Sequence, residues 1–272
     1  MNAKDYFQLP GVSSHMLIEM QRSPLHCWAK YLNPKREPET PTAAQLLGTL
    51  THTLTLTPEQ FDDDFALAES VNRRSKAGKA KFAKLLEAGK LLVAKKDFQT
   101  ALRATKAVRQ HPDARALLEG GEPEKIITVP RGTGLLPLKG RLDWLGQPPS
   151  IAELKTATDA RKESFLRDVY RYGYHLSAAF YRMLASEHTG TAPEKIPHTF
   201  VVVETRPPHA VAVYHTSERL LAQGRTLWET QLARFDECWL EQKWPGYPLE
   251  VLEPDGGGRT LRFDVEEGEV EL

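Results

Sequence analysis

Residues 136–156, with the sequence LPLKGRLDWLGQPPSIAELKT, decide the fold of this chain. Residues 136–145 alternate between apolar and polar side chains, which is typical of a β-strand with one buried face. The Gly-Gln-Pro-Pro sequence at 146–149 interrupts this alternation and predicts a turn. Residues 151–156 predict a second strand, so the whole stretch indicates a hairpin.

Three charged side chains are brought together by this hairpin. Asp143 lies on the polar side of the first strand, and Glu153 and Lys155 share one face of the second because they are two residues apart. An Asp followed by Glu-x-Lys on an adjacent strand is typical of a metal-dependent phosphodiesterase site. In such a site the carboxylates hold a divalent cation, and the lysine steadies the attacking water or the developing phosphate charge. The alternative is a solvated hairpin in which the three residues meet by chance.

The charge of the chain is informative only in its distribution. The 272 residues permit one large domain or two small ones, and 36 basic residues balance 36 acidic ones. Residues 71–110, however, contain twelve Lys or Arg against Glu87 and Asp97. This basic block is either a phosphate-binding surface or a solvated helix face.

The cysteine content and the hydropathy pattern indicate the compartment. Cys27 and Cys238 are too few for an iron–sulfur cluster and do not form a disulfide framework or a cysteine zinc site. No apolar run approaches membrane-spanning length, and the N-terminus lacks a signal-peptide pattern. We therefore expect a soluble, cytoplasmic protein that does not bind a membrane.

The N-terminal part, residues 1–121, is predicted to be mostly helical. Thr42 is the expected N-cap of a helix ending near Leu56, which carries His52. A lone histidine on such a helix is most often a partly buried structural residue. The three consecutive aspartates at 62–64 cannot all face one ion on regular structure, so we interpret them as solvated. Another helix is predicted to start at Ser23-Pro24, with Leu25, Trp28 and Tyr31 on its buried side.

The sheet is expected within residues 122–247. Glu124 lies at the start of its first strand, where it is either an ordinary surface acid or a third carboxylate near Asp143 and Glu153. Thr158 or Asp159 is the expected cap of one long helix that ends near Ser186. A polar and aromatic stripe on that helix could face the site and comprises Tyr170, Tyr174, Ser177 and Tyr181.

These elements together predict an α/β (α+β) fold. We expect a small mixed central β-sheet flanked by helices, with a helical N-terminal region, in a single domain over residues 1–272. The acidic tail at 248–272 contains three consecutive glycines and is expected to be loosely ordered.

Several motifs, in order and at compatible spacing over residues 12–247, resemble one known family. They are Ser13-Ser14-x-x-Leu17 with Ser23-Pro24, Gly48-Thr49-x-x-His52, Lys139-Gly140-Arg141-x-Asp143, Glu153-Leu154-Lys155-Thr156, Tyr172-Gly173-Tyr174-His175 and Ala178-Ala179-Phe180-Tyr181. The chain resembles the exodeoxyribonuclease VIII (RecE-type) nucleases of phages and prophages. These belong to the PD-(D/E)xK superfamily, whose core is like that of restriction endonucleases, and lambda-type exonuclease is a more distant relative.

The resemblance implies a role for each matching residue. His52, Asp143 and Glu153 would bind Mg²⁺ or Mn²⁺, Lys155 would orient or activate the attacking water, and Glu124 would hold a second metal or position water. Tyr174, Ser177 and Tyr181 would position the substrate. Ser177 stands where related nucleases usually have Gln, and its shorter side chain lacks the two-ended amide contact. The candidate DNA contacts are Arg73, Arg74, Lys76, Lys79 and Arg141.

The resemblance also implies an activity and partners. It implies ATP-independent exonuclease digestion of one strand of linear double-stranded DNA from a 5′ end, for recombination by single-strand annealing. The 3′ strand left behind would be taken up by a RecT-type annealing protein, and the nuclease would form a ring-like homo-oligomer around DNA. Two alternatives stay open: a PD-(D/E)xK endonuclease or repair nuclease of other polarity, and a catalytically impaired DNA-binding protein.

Overall fold

The computed structural model of the protein describes residues 3–37, 40–68 and 75–248. Its α-helices are α1 (Ala3–Gln8), α2 (Ser14–Arg22), α3 (Pro24–Cys27), α4 (Ala43–Leu56), α5 (Phe61–Asp64), α6 (Lys76–Glu87), α7 (Lys95–Gln110), α8 (Pro112–Leu117), α9 (Lys162–Arg171), α10 (Tyr174–Thr189) and α11 (Glu218–Glu241). Its strands are β1 (Phe65–Leu67), β2 (Leu91–Val93), β3 (Gly121–Val129), β4 (Leu138–Gly146), β5 (Ser150–Ala157), β6 (His198–Glu204) and β7 (Val211–His215). The predicted acidic tail, apart from Pro248, lies outside the described residues.

A five-stranded mixed sheet of order β3-β4-β5-β6-β7 forms the centre. The β5–β6 pair is parallel and the other neighbouring pairs are antiparallel. The parallel pair requires a crossover, which α9 and α10 provide, whereas the predicted hairpin joins β4 and β5 directly. The predicted fold, a small mixed sheet flanked by helices, is confirmed.

Helices cover both faces of the sheet. One face packs with α2, α10 and α11 in the main core, to which Phe200 and Val202 of β6 belong. The other face packs with α7 and α8 through Val201, Val203 and Leu154. Strand β6 is therefore buried on both sides, which explains its continuous apolar run. This burial makes β5 and β6 a rigid support for the charged groups of β5.

Helix α4 of the N-terminal region begins where the sequence predicts. Thr42 caps α4, and its backbone N–H in turn donates to the side chain of Gln45, which completes a capping box. Helix α4 packs on α7 and on a small parallel sheet of β1 and β2, with which it shares a hydrophobic cluster. The β1–β2 pair was not anticipated, because strands of three residues are too short to show a period-two pattern.

Two local predictions are wrong. The single long helix expected up to Ser186 is divided into α9 and α10 by Gly173, which adopts a left-handed conformation (φ 68°), and α9 is capped at Arg161. Leu25, expected to be buried, is 44% exposed, while Cys27 and Pro24 fill the inner side of α3. The backbone continues from α3 as a π-helical turn, Trp28–Leu32, in which Trp28 and Tyr31 are half-buried.

Within the described part of the chain, no helix combines the length and the apolar character needed to cross a membrane.

Candidate metal centre and active site

Glu124 and Asp143 face each other across the β3–β4 ladder. The ladder pairs Pro123 with Trp144 and Lys125 with Leu142, and the two carboxylate residues lie between these pairs without pairing themselves. Glu124 lies within β3 and not at its start, and it has a left-handed backbone conformation (φ 51°). A non-glycine residue in this conformation costs about 1–3 kcal/mol and often marks a functional site.

His52 completes a three-residue cluster with these two carboxylates. Its Nδ1 lies 3.6 Å from Asp143 Oδ2, and potential ligand atoms of His52, Glu124 and Asp143 all lie within 4.8 Å of one another. Burial lowers the pKa of His52 and the charge of Asp143 opposes this effect, so a neutral, ligating imidazole is favoured. Two carboxylates and one imidazole suit Mg²⁺ or Mn²⁺, with the imidazole favouring Mn²⁺.

The ionisation of Glu124 reflects the crowding of negative charge in this cluster. Burial and the nearby charge of Asp143 raise the pKa of Glu124 to about 7, although Arg141 acts in the opposite direction. Arg141 Nε forms an ion pair with Glu124 Oε2 over 2.8 Å. The N–H of this contact is not aligned for a hydrogen bond, so the buried oxygen accepts none. A bound cation would satisfy this oxygen and lower the pKa of the carboxyl, so the residues present fit a divalent metal.

Asp64 contributes to the same electrostatic environment. Asp62 and Asp63 are exposed, as expected for the solvated run, but Asp64 is half-buried and its charge also raises the pKa of Glu124. Asp64 is therefore less solvated than the sequence predicts, because it is the last residue of α5, next to β1, and its charge acts on the buried Glu124.

Glu153 and Lys155 form a separate buried ion pair on β5. Lys155 Nζ lies 2.6 Å from Glu153 Oε2, and Glu153 is only 1% exposed. Burial alone would raise the pKa of Glu153, but Lys155 and His198 lower it to about 2. Burial would likewise lower the pKa of Lys155, but Glu153 and Asp143 raise it above its usual value. Both groups are therefore charged at neutral pH.

His198, the first residue of β6, holds the other oxygen of Glu153. Its Nε2 lies 2.8 Å from Glu153 Oε1, and its Nδ1 lies 2.8 Å from Thr216 Oγ1. The imidazole side chain is fully buried. Sequence reasoning missed His198 because it is 45 residues from Glu153, and only the parallel pairing of β5 with β6 brings them together.

Asp143 links the metal cluster to β5. The backbone N–H of Leu154 donates to Asp143 Oδ2 over 2.9 Å, and the β4–β5 ladder ends at Trp144 and Ala152. The carboxylate thus occupies the gap where the two strands diverge. The structure brings His52, Glu124 and Asp143 into one cluster, whereas Glu153, the third predicted ligand, faces Lys155 and His198.

The predicted substrate-positioning residues lie on α10. Lys155 Nζ lies 5.0 Å from the ring centre of Tyr174, which is half-buried. Tyr181 is buried, its hydroxyl accepts a hydrogen bond from Ser14 Oγ over 3.4 Å, and Ser177 is buried as well. Their contacts with substrate stay predictions.

The predicted DNA contacts are partly described. Lys76 and Lys79 are exposed on α6, and Arg141 pairs with Glu124. Arg73 and Arg74 lie outside the described residues.

Comparison with known proteins gives the family of the chain. Residues 13–251 match a family described as "PDDEXK-like domain of unknown function". No curated protein matches the sequence. The crystal structure of a protein named "Putative exonuclease" from Eubacterium rectale aligns with 92% of this chain and 96% of its own, with a TM-score of 0.62 and 14% sequence identity. The structure of SSO0001 aligns with 89% of this chain and 87% of its own at 12% identity, but its TM-score of 0.30 carries no argument.

At 14% identity, the Eubacterium rectale protein shows a shared fold alone. The family match agrees with the predicted PD-(D/E)xK superfamily and spans most of the chain. The protein therefore belongs to DUF3799, a family of PDDEXK-like domains.

Proposed function

We propose that this protein is a metal-dependent, ATP-independent exodeoxyribonuclease that degrades one strand of linear double-stranded DNA in the 5′-to-3′ direction. The observation that carries this proposal is the placement of Asp143 beside the Glu153–Lys155 ion pair, with His52 completing a ligand cluster. The PDDEXK-like family membership supports a nuclease. The strand polarity rests on the resemblance to RecE-type nucleases.

Mg²⁺ or Mn²⁺ would be held by His52 and Asp143, with Glu124 or Glu153 as a further carboxylate ligand. When bound, the cation supplies Lewis-acid polarisation of the scissile phosphate and lowers the pKa of a water molecule. The clearest support for a cation is that ligand atoms of His52, Glu124 and Asp143 lie within 4.8 Å of one another.

Lys155 would act on the reacting phosphate. Its ammonium group is charged and held by Glu153, so it is oriented before substrate arrives and loses little entropy on binding. It would position the attacking water and stabilise the negative charge that develops on the phosphate oxygens. Removing one such preorganised donor typically reduces kcat by about 10²–10³-fold.

The wider role follows from the same resemblance. We propose that the enzyme leaves 3′ single strands for a RecT-type annealing partner during phage or prophage recombination, and that it works as a homo-oligomeric ring. Phosphate contacts from Lys76, Lys79 and Arg141 would hold the DNA with little sequence preference.

Digestion of linear and covalently closed duplex DNA, with Mg²⁺ and without ATP, tests the proposal. We expect the wild type to degrade the linear DNA only and Lys155→Ala to be inactive. Lys162→Ala, which removes an exposed lysine just after β5, is the matched control and should retain activity. Cleavage of the closed circle would instead show an endonuclease. If neither DNA is cut with Mg²⁺ or Mn²⁺ but DNA still binds, the protein is a DNA-binding protein.

A further inference from the structure

Helix α1 precedes the part of the chain that matches the family, which begins at residue 13. It packs against β4, the strand that carries Asp143. It is fastened to β4 by Lys139, whose side chain is buried. Lys139 Nζ donates to the backbone carbonyls of Tyr6 (3.2 Å) and Leu9 (2.6 Å), and it lies 4.9 Å from the centre of the Tyr6 ring. A lysine ammonium at a helix C-terminus interacts favourably with the helix dipole.

The chain that follows α1 reinforces this attachment. Val12 N–H donates to Pro137 O (2.8 Å), and Lys139 N–H donates to Val12 O (2.9 Å). Gly11 allows this close approach, because a Cβ atom there would lie 3.0 Å from Pro137 O and its φ is 148°. Helix α1 is therefore held at a defined position relative to Arg141 and Asp143 on the same strand.

Phe7 on α1 presents an exposed aromatic ring beside the metal centre. Its side chain is 72% exposed, although Tyr6 contacts it edge-on with ring centres 5.5 Å apart. The guanidinium carbon of Arg141 lies 5.9 Å from the Phe7 ring centre, and Arg141 Nε lies 2.8 Å from Glu124 Oε2. A single arginine thus separates the exposed ring from a carboxylate of the metal cluster.

We propose that Phe7 is a stacking platform for an unpaired nucleobase next to the scissile phosphate, with Arg141 contacting the adjoining backbone. This inference rests on the proposed action on DNA and names the form of DNA that the site holds. Aromatic side chains stack on any base, and a nearby arginine adds charge for the phosphate. Because Phe7 has no polar atom, the contact does not discriminate between bases but requires a base that is unpaired.

Binding in the absence of cleavage tests this platform. The full-length protein with Ca²⁺ in place of Mg²⁺ is titrated into a single-stranded oligonucleotide and into a blunt duplex, each monitored by fluorescence anisotropy. We expect Phe7→Ala to weaken single-strand binding by about tenfold and duplex binding by less than threefold, with Phe7→Trp restoring the affinity. Leu240→Ala removes another exposed apolar side chain, on α11, and should change neither affinity.

A fluorescent base analogue gives a readout that a structural role would not change. An oligonucleotide containing 2-aminopurine should be quenched by wild type and by Phe7→Trp, and much less by Phe7→Ala at saturating protein. Equal loss of single-strand and duplex binding, or unchanged quenching with Phe7→Ala, would overturn the inference. A change in oligomeric mass with Phe7→Ala would show that the ring packs against a second copy. If the wild type binds neither DNA, the proposed function itself fails, which is a distinct result.

Discussion

Glu124 combines a left-handed backbone, a buried oxygen whose contact with Arg141 is an ion pair without an aligned hydrogen bond, and a raised pKa. Each of these features makes the folded chain less stable, and a cation at the proposed site would stabilise the ionised carboxylate. The side chain is thus placed for ligand binding at the expense of the fold, which is a common arrangement at functional sites.

The stability of the protein should therefore depend on pH through Glu124. Its pKa is about 7 in the folded state against 4.5 for the ordinary carboxyl, so the folded state binds this proton more tightly. Protonation of Glu124 therefore stabilises the folded state. This contribution to the free energy of unfolding is fully present below about pH 4.5 and is lost as the pH rises through about 7. We expect Glu124→Gln to raise the free energy of unfolding by about 2 kcal/mol at pH 8 and to have little effect at pH 5.

Thermal or urea denaturation at the two pH values, without divalent metal, measures this difference. Glu122→Gln changes an exposed carboxylate on the same strand and serves as the control. A Glu124→Gln stabilisation equal at pH 5 and pH 8 would contradict the raised pKa.

His198 is predicted to position Glu153 without touching substrate. His198→Gln removes a well-aligned partner from a fully buried carboxylate, so we expect about 1–3 kcal/mol of destabilisation and a 10- to 100-fold loss of activity. The loss should appear partly as a higher Mn²⁺ concentration for half-maximal activity. His215→Gln, which changes a more exposed histidine on β7, should leave the Mn²⁺ requirement unchanged. If His198→Gln lowers stability but not metal affinity, the histidine is only structural.

These residues differ in how far the sequence could identify them. Asp143, Glu153 and Lys155 were found because the period-two pattern of two adjacent strands places them locally. His52 was singled out as a ligand only through the resemblance to a nuclease family. The contact of His198 with Glu153 depends on which strands pair in the sheet, and a single sequence does not contain that information.

At the scale of elements, the close packing of α10 against α11 depends on Gly224. A Cβ atom at this position would lie 2.0 Å from His175 O, so the two helix backbones must separate if it is present. We expect Gly224→Ala to destabilise the protein by about 3 kcal/mol, despite the higher helix propensity of alanine. Gly132→Ala, at a loop position with open space around it, should be close to neutral in the same denaturation measurement.

Helix α6 provides a test of the basic block as a DNA surface. Lys76 and Lys79 are exposed, and each phosphate contact they make should release about one counterion. We expect Lys76→Ala with Lys79→Ala to weaken DNA binding uniformly across sequences and to reduce the slope of log K against log salt concentration by about 2. Anisotropy titrations at several salt concentrations measure this slope. An unchanged slope would instead show that this helix face is solvated and does not contact DNA. The control is the double variant Lys35→Ala with Lys243→Ala, which should leave the slope unchanged.

The same elements show what local patterns predict. The N-cap residue of α4, Thr42, and the hairpin of β4 and β5 are local signals, and both were predicted. The break between α9 and α10 was missed because Gly173 interrupts an amphipathic pattern that continues on both sides. Helix α1 was missed because its attachment is made by Lys139, far along the chain.

At the scale of the whole molecule, the chain has no net charge to attract DNA. Local basic groups produce an attraction that is screened within about 10 Å at 0.1 M salt, so a small neutral protein would dissociate readily between cleavage steps. The proposed exonuclease would therefore need another means of staying on the substrate to digest continuously, and enclosure by a closed oligomer would provide it.

We expect the active species to be a closed homo-oligomer whose mass is a multiple of 30.6 kDa, measurable by light scattering after size-exclusion chromatography. Because enclosure acts on dissociation and not on chemistry, dilution below the assembly concentration should shorten the tracts digested per binding event. Removal of the first nucleotide should continue at a comparable rate per chain. Both quantities can be measured on end-labelled linear DNA with excess unlabelled competitor, using Lys155→Ala as the inactive reference. Long tracts produced by a species with the mass of one chain would contradict enclosure, and retention on DNA would then have to come from the basic block and the active site of a single chain.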